Sequence, residues 1–214
     1  MAALFSDDLV AYLDDVVPQR PAELQRMEAS ARDRNFPIIG PACGQCCYLL
    51  TRLAGARRVF EMGSGYGYST AWFARGVREN GGGEVHHVVW DRELSQQARG
   101  HLAALGYTDL VRYHVGEAVE ALRNAVGPFD IIFMDIDKEG YPSAVPVIEA
   151  RLRPGGLLIA DNILWHGQVL DSKDRHPETE AIRETTRLFT RSRDWVSTIL
   201  PVRDGLLVSM RAAV

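Results

Sequence analysis

A chain of 214 residues, 46% apolar and 24% charged, has the length and balance of one globular domain that buries a sizeable core. Its formal charge of -4 supplies no electrostatic footprint for a phosphate backbone, so nucleic acid is disfavoured though not excluded. No run approaches the ~18 apolar residues of a membrane span, and the first eight residues lack the basic region and long apolar core of a signal peptide; the expectation is no membrane and a cytoplasmic location.

Residues 1–55 are expected to form a helical cover and residues 56–214 the core of the same domain. Leu9, Val10, Leu13, Val16 and Val17 are spaced for one face of a first helix. Pro21 is placed to open a second helix running to about Arg34. Two prolines and a glycine in 36–41 make an extended crossing, after which a third helix is expected over 44–54. Cys43, Cys46 and Cys47 fall near and within that helix with no second pair at zinc-finger spacing, and read as reduced, small packing residues. From residue 59 strands and helices alternate: strands over 59–62, 85–90, 111–115, 130–134, 157–160, 196–200 and 206–210, helices over 69–80, 95–105, 118–126, 141–151 and 178–192. Only five residues, 201–205, join the last two strands, too few for a crossover, so these pair as an antiparallel hairpin. The fold class is α/β: a Rossmann-like, seven-stranded, mostly parallel sheet with helices on both faces and extra helices at the amino end.

Residues 59–69 carry the first chemical signal, an apolar run breaking into glycines at 63, 65 and 67, with Ser69 placed to cap the next helix. A dinucleotide loop wants glycine at its sixth position, which counted from Gly63 is Tyr68, and a triphosphate loop wants a Lys-Ser/Thr ending that is missing. Glu61, two residues ahead of Gly63, would repel a pyrophosphate and attract an ammonium or sulfonium group. This acid-x-Gly-x-Gly pattern resembles the first motif of class I S-adenosylmethionine-dependent methyltransferases.

Ligands of such sheets bind beyond the carboxyl ends of the strands, where Trp90-Asp91, Gly116-Glu117-Ala118, Asp135-Ile136-Asp137-Lys138 and Asp161-Asn162 fall. Asp135, Asp161 and Asn162 offer the hard oxygen donors that magnesium or calcium prefers, and Lys138 is near enough in sequence to carry an amine towards a metal-bound hydroxyl. The glycine loop, the Asp135–Lys138 run with Tyr141 behind it, Leu158-Ile159-Ala160-Asp161-Asn162 and Asp204-Gly205-Leu206 together resemble the cation-dependent O-methyltransferases, which include catechol and caffeoyl-CoA O-methyltransferases. The likeness runs from about Ile38 onward, and Pro41-Ala42-Cys43-Gly44-Gln45 is similar to the family's segment before its third helix.

The resemblance implies S-adenosylmethionine as cofactor with a divalent cation, magnesium first and calcium or manganese as alternatives, and a small hydroxylated, catechol-like acceptor. It assigns the metal to Asp135, Asp161 and Asn162, catalysis to Lys138, the methionine part of the cofactor to Glu61, Gly63, Ser64, Ser69 and the backbone of Ile39, and its adenine side to Ala118; Asp135 also borders the cofactor. The family's ribose-binding acid falls on Val89, leaving Asp91, two residues on, as the substitute. Two other readings stay open: a transfer RNA hydroxyuridine O-methyltransferase using Arg20, Arg26, Arg32 and Arg34 as a basic face, and a non-catalytic S-adenosylmethionine-binding protein. Trp165 and His166 are candidates to line the acceptor pocket, with capping or packing favoured for His166, and 167–177 reads as a mobile loop, either a lid or a plain connection. A homodimer is compatible with all of these.

Overall fold

The computed structural model of the protein describes residues 5–213. Seven strands, β1 (Arg58–Met62), β2 (Glu84–Val89), β3 (Val111–Val115), β4 (Phe129–Met134), β5 (Leu152–Ala160), β6 (Trp195–Leu200) and β7 (Leu206–Arg211), make one sheet of order β3-β2-β1-β4-β5-β7-β6. The first five are parallel, and β7 runs against both β5 and β6. The order reverses between β1 and β4, which puts a crevice at their carboxyl ends.

Both faces of the central strands are covered, so side chains alternate between two cores. Val59, Ile131, Phe133 and Ile159 pack with Trp72, Phe73 and Leu102 on one face; Phe60, Met62, Ile132 and Leu158 pack with Leu122, Ile148, Ile182 and Phe189 on the other. Glu61, two residues from Val59, is thereby pointed to the first face among apolar side chains, and is wholly buried.

Among the described residues eight α-helices surround the sheet: α1 (Asp7–Asp15), α2 (Ala22–Arg34), α3 (Gly40–Leu53), α4 (Tyr68–Glu79), α5 (Arg92–Ala104), α6 (Ala118–Asn124), α7 (Tyr141–Arg151) and α8 (Pro177–Arg191). Three depart from the sequence reading. The apolar face of α1 is not buried: Leu9, Val10 and Val16 are exposed, and only Leu13 and Val17 are half-covered. Helix α3 begins at Gly40, because Pro41 in the first turn forgoes an N–H that would have had no helical partner, and the crossing shrinks to 35–39. The residue capping α4 is Gly67 at φ 94°, not Ser69, which lies inside the first turn and is buried. Among the described residues no helix is long and apolar enough to cross a membrane.

Candidate active site

The glycine loop is shaped by close backbone approach. Gly63 has φ 87°, and a Cβ there would fall 2.1 Å from the carbonyl oxygen of Asp135, so only glycine lets the end of β1 lie against the end of β4. The loop is tied to β2 by Ser64, whose N–H donates to the Val88 carbonyl at 2.9 Å and whose Oγ accepts from the Val88 N–H at 3.0 Å. Behind it, Glu61 accepts the Thr70 hydroxyl on Oε2, while its buried Oε1 has no partner. Burial pushes the Glu61 carboxyl up to about 7, and the nearby hydroxyls of Ser69, Thr70 and Ser64 offset this only in part. Thr70 Oγ1 also lies 3.1 Å from Nδ1 of His87, whose burial drives its pKa down to about 3 and keeps it neutral.

A narrow cleft of about 40 Å³ joins Gly63, Ser64 and Ser69 to Asp135 and is roofed by Phe36–Ile39; a hollow of about 600 Å³ lies on the far side of Phe36, Pro37 and Ile38. The cleft thus brings together the glycine loop, the Ile39 backbone and the end of β4. Further along the sheet edge, Val89 ends β2 without a carboxylate and Trp90 beyond it is exposed. Asp91 caps α5, its Oδ1 accepting from the N–H of Glu93 at 2.6 Å and of Leu94 at 3.3 Å, which leaves Oδ2 outside these bonds. Ala118, buried, opens α6 after the cap at Glu117.

Charged groups converge beyond β4 and β5. Lys138, itself buried, spends its ammonium on Asp135 Oδ1 at 2.8 Å, the Ile136 carbonyl at 3.2 Å and the Tyr141 hydroxyl at 2.9 Å. Tyr141 Oη sits 3.1 Å from the Met134 carbonyl and 3.0 Å from that of Asp161, bridging the ends of β4 and β5. Asp161 is 1% exposed. Its Oδ2 accepts Nη1 of Arg203 at 2.8 Å, and its Oδ1 is buried without a partner. Burial, and then the neighbouring Asp135 carboxylate, raise its pKa. Asn162, in the left-handed region at φ 60°, donates Nδ2 to Asp204 Oδ2 at 3.3 Å, leaving its amide oxygen outside that bond.

Among the described residues no three His, Cys, Asp or Glu side chains gather for a metal. The residues expected to hold a metal are two carboxylates and an amide, and the orphaned oxygen of Asp161 is the kind of acceptor a hard cation satisfies. Asp135 and Lys138 lie close enough to Asp161 to act on its charge, Asn162 follows it in the chain, and Asp135 also lines the narrow cleft beside the glycine loop.

Several members of this constellation escaped the sequence reading. Thr70 and Arg203 have no local signature, since a threonine in a helix and an arginine in a hairpin turn look ordinary. Tyr141 and Asp204 stood in the quoted motifs without a role: the Tyr141 hydroxyl contacts the carbonyls of Met134 and Asp161, and the Asp204 carboxylate accepts from Asn162 and His166 beyond β5. Asp204 Oδ1 accepts the N–H of His166 at 2.7 Å, so His166 serves through its backbone while its ring is exposed. The segment after it, expected as a mobile loop, is tied to α8: Arg183 donates to the carbonyls of Gln168, Val169, Asp171 and Asp174. Cys43 and Cys47 are buried in the core that also holds Trp72; the hydrogen bond with Cys47 and then burial raise the Cys43 thiol, burial raises that of Cys46, and that of Cys47 is raised by burial against its hydrogen bond with Cys43.

The sheet order, the reversed last strand and the site at the β1/β4 crevice are those of the α/β methyltransferase fold. Residues 17–212 match the sequence model of a family described as O-methyltransferase, and the chain belongs to that family. The match begins well before Ile38, so α2 and the crossing segment are part of the likeness too. A catechol O-methyltransferase from Niastella koreensis is 31% identical over 84% of this chain and 80% of its own length. Among solved structures, the O-methyltransferase TomG from Streptomyces achromogenes, involved in tomaymycin synthesis and in complex with SAM, superposes with TM-score 0.86 at 25% identity over 100% of both chains. An O-methyltransferase from Bacillus cereus in complex with SAH gives TM-score 0.85 at 27% identity over 95% of this chain and 97% of that one.

Proposed function

We propose that the protein transfers a methyl group from S-adenosylmethionine to a hydroxyl of a small catechol-like acceptor held on a divalent cation. One observation carries the reading: a fully buried carboxylate stands at each side of the crevice, Glu61 and Asp161, and each keeps one oxygen without a partner. A buried acceptor left unpaired is costly, and a cationic ligand on each side removes that cost. On the Glu61 side the fitting group is the ammonium of the cofactor's methionine part, cradled by Gly63, Ser64, Ser69 and the Ile39 backbone. On the Asp161 side it is a metal ion, with Asp135 and Asn162 completing the donors.

When bound, the cofactor would supply an electrophilic methyl group and the cation would lower the pKa of the acceptor hydroxyl. The protein's own work is positioning and proton handling. Asp91 offers its second carboxylate oxygen to the ribose hydroxyls in place of the acid lost at Val89, and Ala118 leaves room for the flat base. Lys138 receives the acceptor's proton at Nζ, which Tyr141 holds in place; this requires that Nζ give up its proton and its contact with Asp135, the carboxylate on which a cation draws. Holding hydroxyl and methyl at near-attack distance then supplies most of the acceleration. The roof at Phe36–Ile39 has to lift for entry, because a 40 Å³ cleft has room for about one water molecule.

In the basic face of the transfer RNA reading, Arg20 is paired with Glu28 and Arg26 with Glu23, whereas Arg34 keeps its charge against Gln97 and the Tyr66 ring and Arg32 lines the hollow beside them. The deciding experiment is tritiated-methyl transfer to a panel of vicinal diphenols and to bulk transfer RNA, with magnesium and after chelation. Transfer to a diphenol that stops on chelation is expected, and Lys138→Ala should lower kcat by about 100-fold or more while cofactor affinity stays within about threefold. Diphenol methylation that survives complete metal removal would rule out the cation.

A further inference from the structure

Asp161 is already claimed by a cation belonging to the chain. Arg203 reaches it from the turn between β6 and β7, placing Nη1 2.8 Å from Oδ2. Arg203 does so with its backbone at φ 52°, in the left-handed region that a residue with a side chain enters at a cost. The turn is sewn to the segment after Asp161: Ile163 N–H donates to the Gly205 carbonyl at 3.1 Å, Leu164 N–H to the Asp204 carbonyl at 2.9 Å, and His166 N–H to Asp204 Oδ1 at 2.7 Å. The guanidinium is therefore delivered to the carboxylate by a fixed piece of backbone.

Asp135 has Lys138 as its counterion and Asp161 has Arg203, so the two carboxylates are neutralised before any metal arrives. A divalent ion entering between them meets two positive charges as well as two negative ones. We propose that Arg203 is a resident counterion that competes with the divalent cation for Asp161, lowering the intrinsic metal affinity of the site until its guanidinium leaves Oδ2. The Arg203 side chain is 33% exposed, so a displaced guanidinium has solvent to move into, whereas Asp161 has nowhere to go. The proposal rests on the cation reading above and assigns Arg203 as a positioning residue, acting through Asp161 and not on the reacting atoms.

The test is Mn²⁺ binding, followed by electron paramagnetic resonance on the full chain saturated with S-adenosylhomocysteine. Wild type is compared with Arg203→Gly, which suits the left-handed backbone, with Arg203→Gln as a second neutral variant and Arg203→Lys as the charge-keeping one. Both neutral variants should bind Mn²⁺ about tenfold tighter than wild type, while the lysine variant stays close to wild type. Equal or weaker binding by the neutral variants, with wild type binding normally, overturns the competition and leaves the cation reading standing. An equal gain by Arg203→Lys also overturns it, since charge would not be the cause. No Mn²⁺ uptake by any of the four overturns both readings together.

Discussion

The two sides of the crevice are built on opposite principles. On the Glu61 side the site is made by removing atoms: glycine at 63 lets backbone touch backbone, and a single buried acid waits behind the loop. On the Asp161 side it is made by adding charges, two carboxylates each matched to a cation, Asp135 to Lys138 three residues on and Asp161 to Arg203 from the β6–β7 turn. The first side should be intolerant of volume and sensitive to pH through one group. The second should tolerate volume better and respond to changes in charge balance.

The largest expected effect tests the steric side. In Gly63→Ala the new Cβ would fall 2.1 Å from a backbone carbonyl, at a φ that already disfavours any side chain. Roughly 2–4 kcal/mol of stability should be lost, with cofactor binding lost as well, since the β1 and β4 ends must separate. Thermal melting and calorimetric titration with S-adenosylhomocysteine measure the two losses. A variant with unchanged melting and affinity would show that the loop has slack, and the contrast between the two sides would fail.

That difference also explains what was legible in the sequence. Glycines 63, 65 and 67 and Glu61 lie within seven residues, so one stretch announces the first side. The strands could be located because buried parallel strands are continuous apolar runs, although β5 starts five residues before the expected 157, at Leu152. Pro154-Gly155-Gly156 there looks like a turn but continues the strand, beside a register shift between Phe129 and Ile131. The charged side joins residues 135, 138, 141, 161 and 203; their place at strand ends and their donor chemistry suggested that Asp135, Lys138 and Asp161 belong together, and the family resemblance then gave each a role. Arg203 fell outside every motif because a turn arginine ordinarily points to water. The apolar stripe on α1 misled for the converse reason: helical spacing shows that a face exists, not that anything covers it.

A medium effect separates the two sides by pH. With its pKa raised to about 7 by burial, Glu61 is stabilising when protonated; that contribution is complete below the ordinary carboxylate range and is lost as pH rises through 7. A cofactor ammonium reverses the preference by favouring the carboxylate, so binding should release a proton. Affinity for S-adenosylhomocysteine should therefore rise roughly eightfold between about pH 6 and pH 7.5, and Glu61→Gln should flatten the slope. The same slope in Glu61→Gln would move the titration to another group.

The smallest effect tests whether the sides are separate at all. Tyr141 Oη receives the Lys138 ammonium and contacts the carbonyls of Met134 and Asp161, but among the described residues has no hydrogen bond to the glycine loop. Tyr141→Phe keeps the ring in its buried slot and leaves the carbonyls and Nζ one partner short, at a cost of about 1–2 kcal/mol in stability. Because Lys138 still has Asp135 and Ile136, it should lose alignment but not position, and kcat should fall only about threefold. Cofactor affinity should not change, since Glu61 and the loop are held by Thr70, Val88 and Asp135 instead. A drop in affinity as large as the drop in kcat would mean that the β4 end, whose Asp135 carbonyl lies against Gly63, transmits disturbance from the charged side to the steric one.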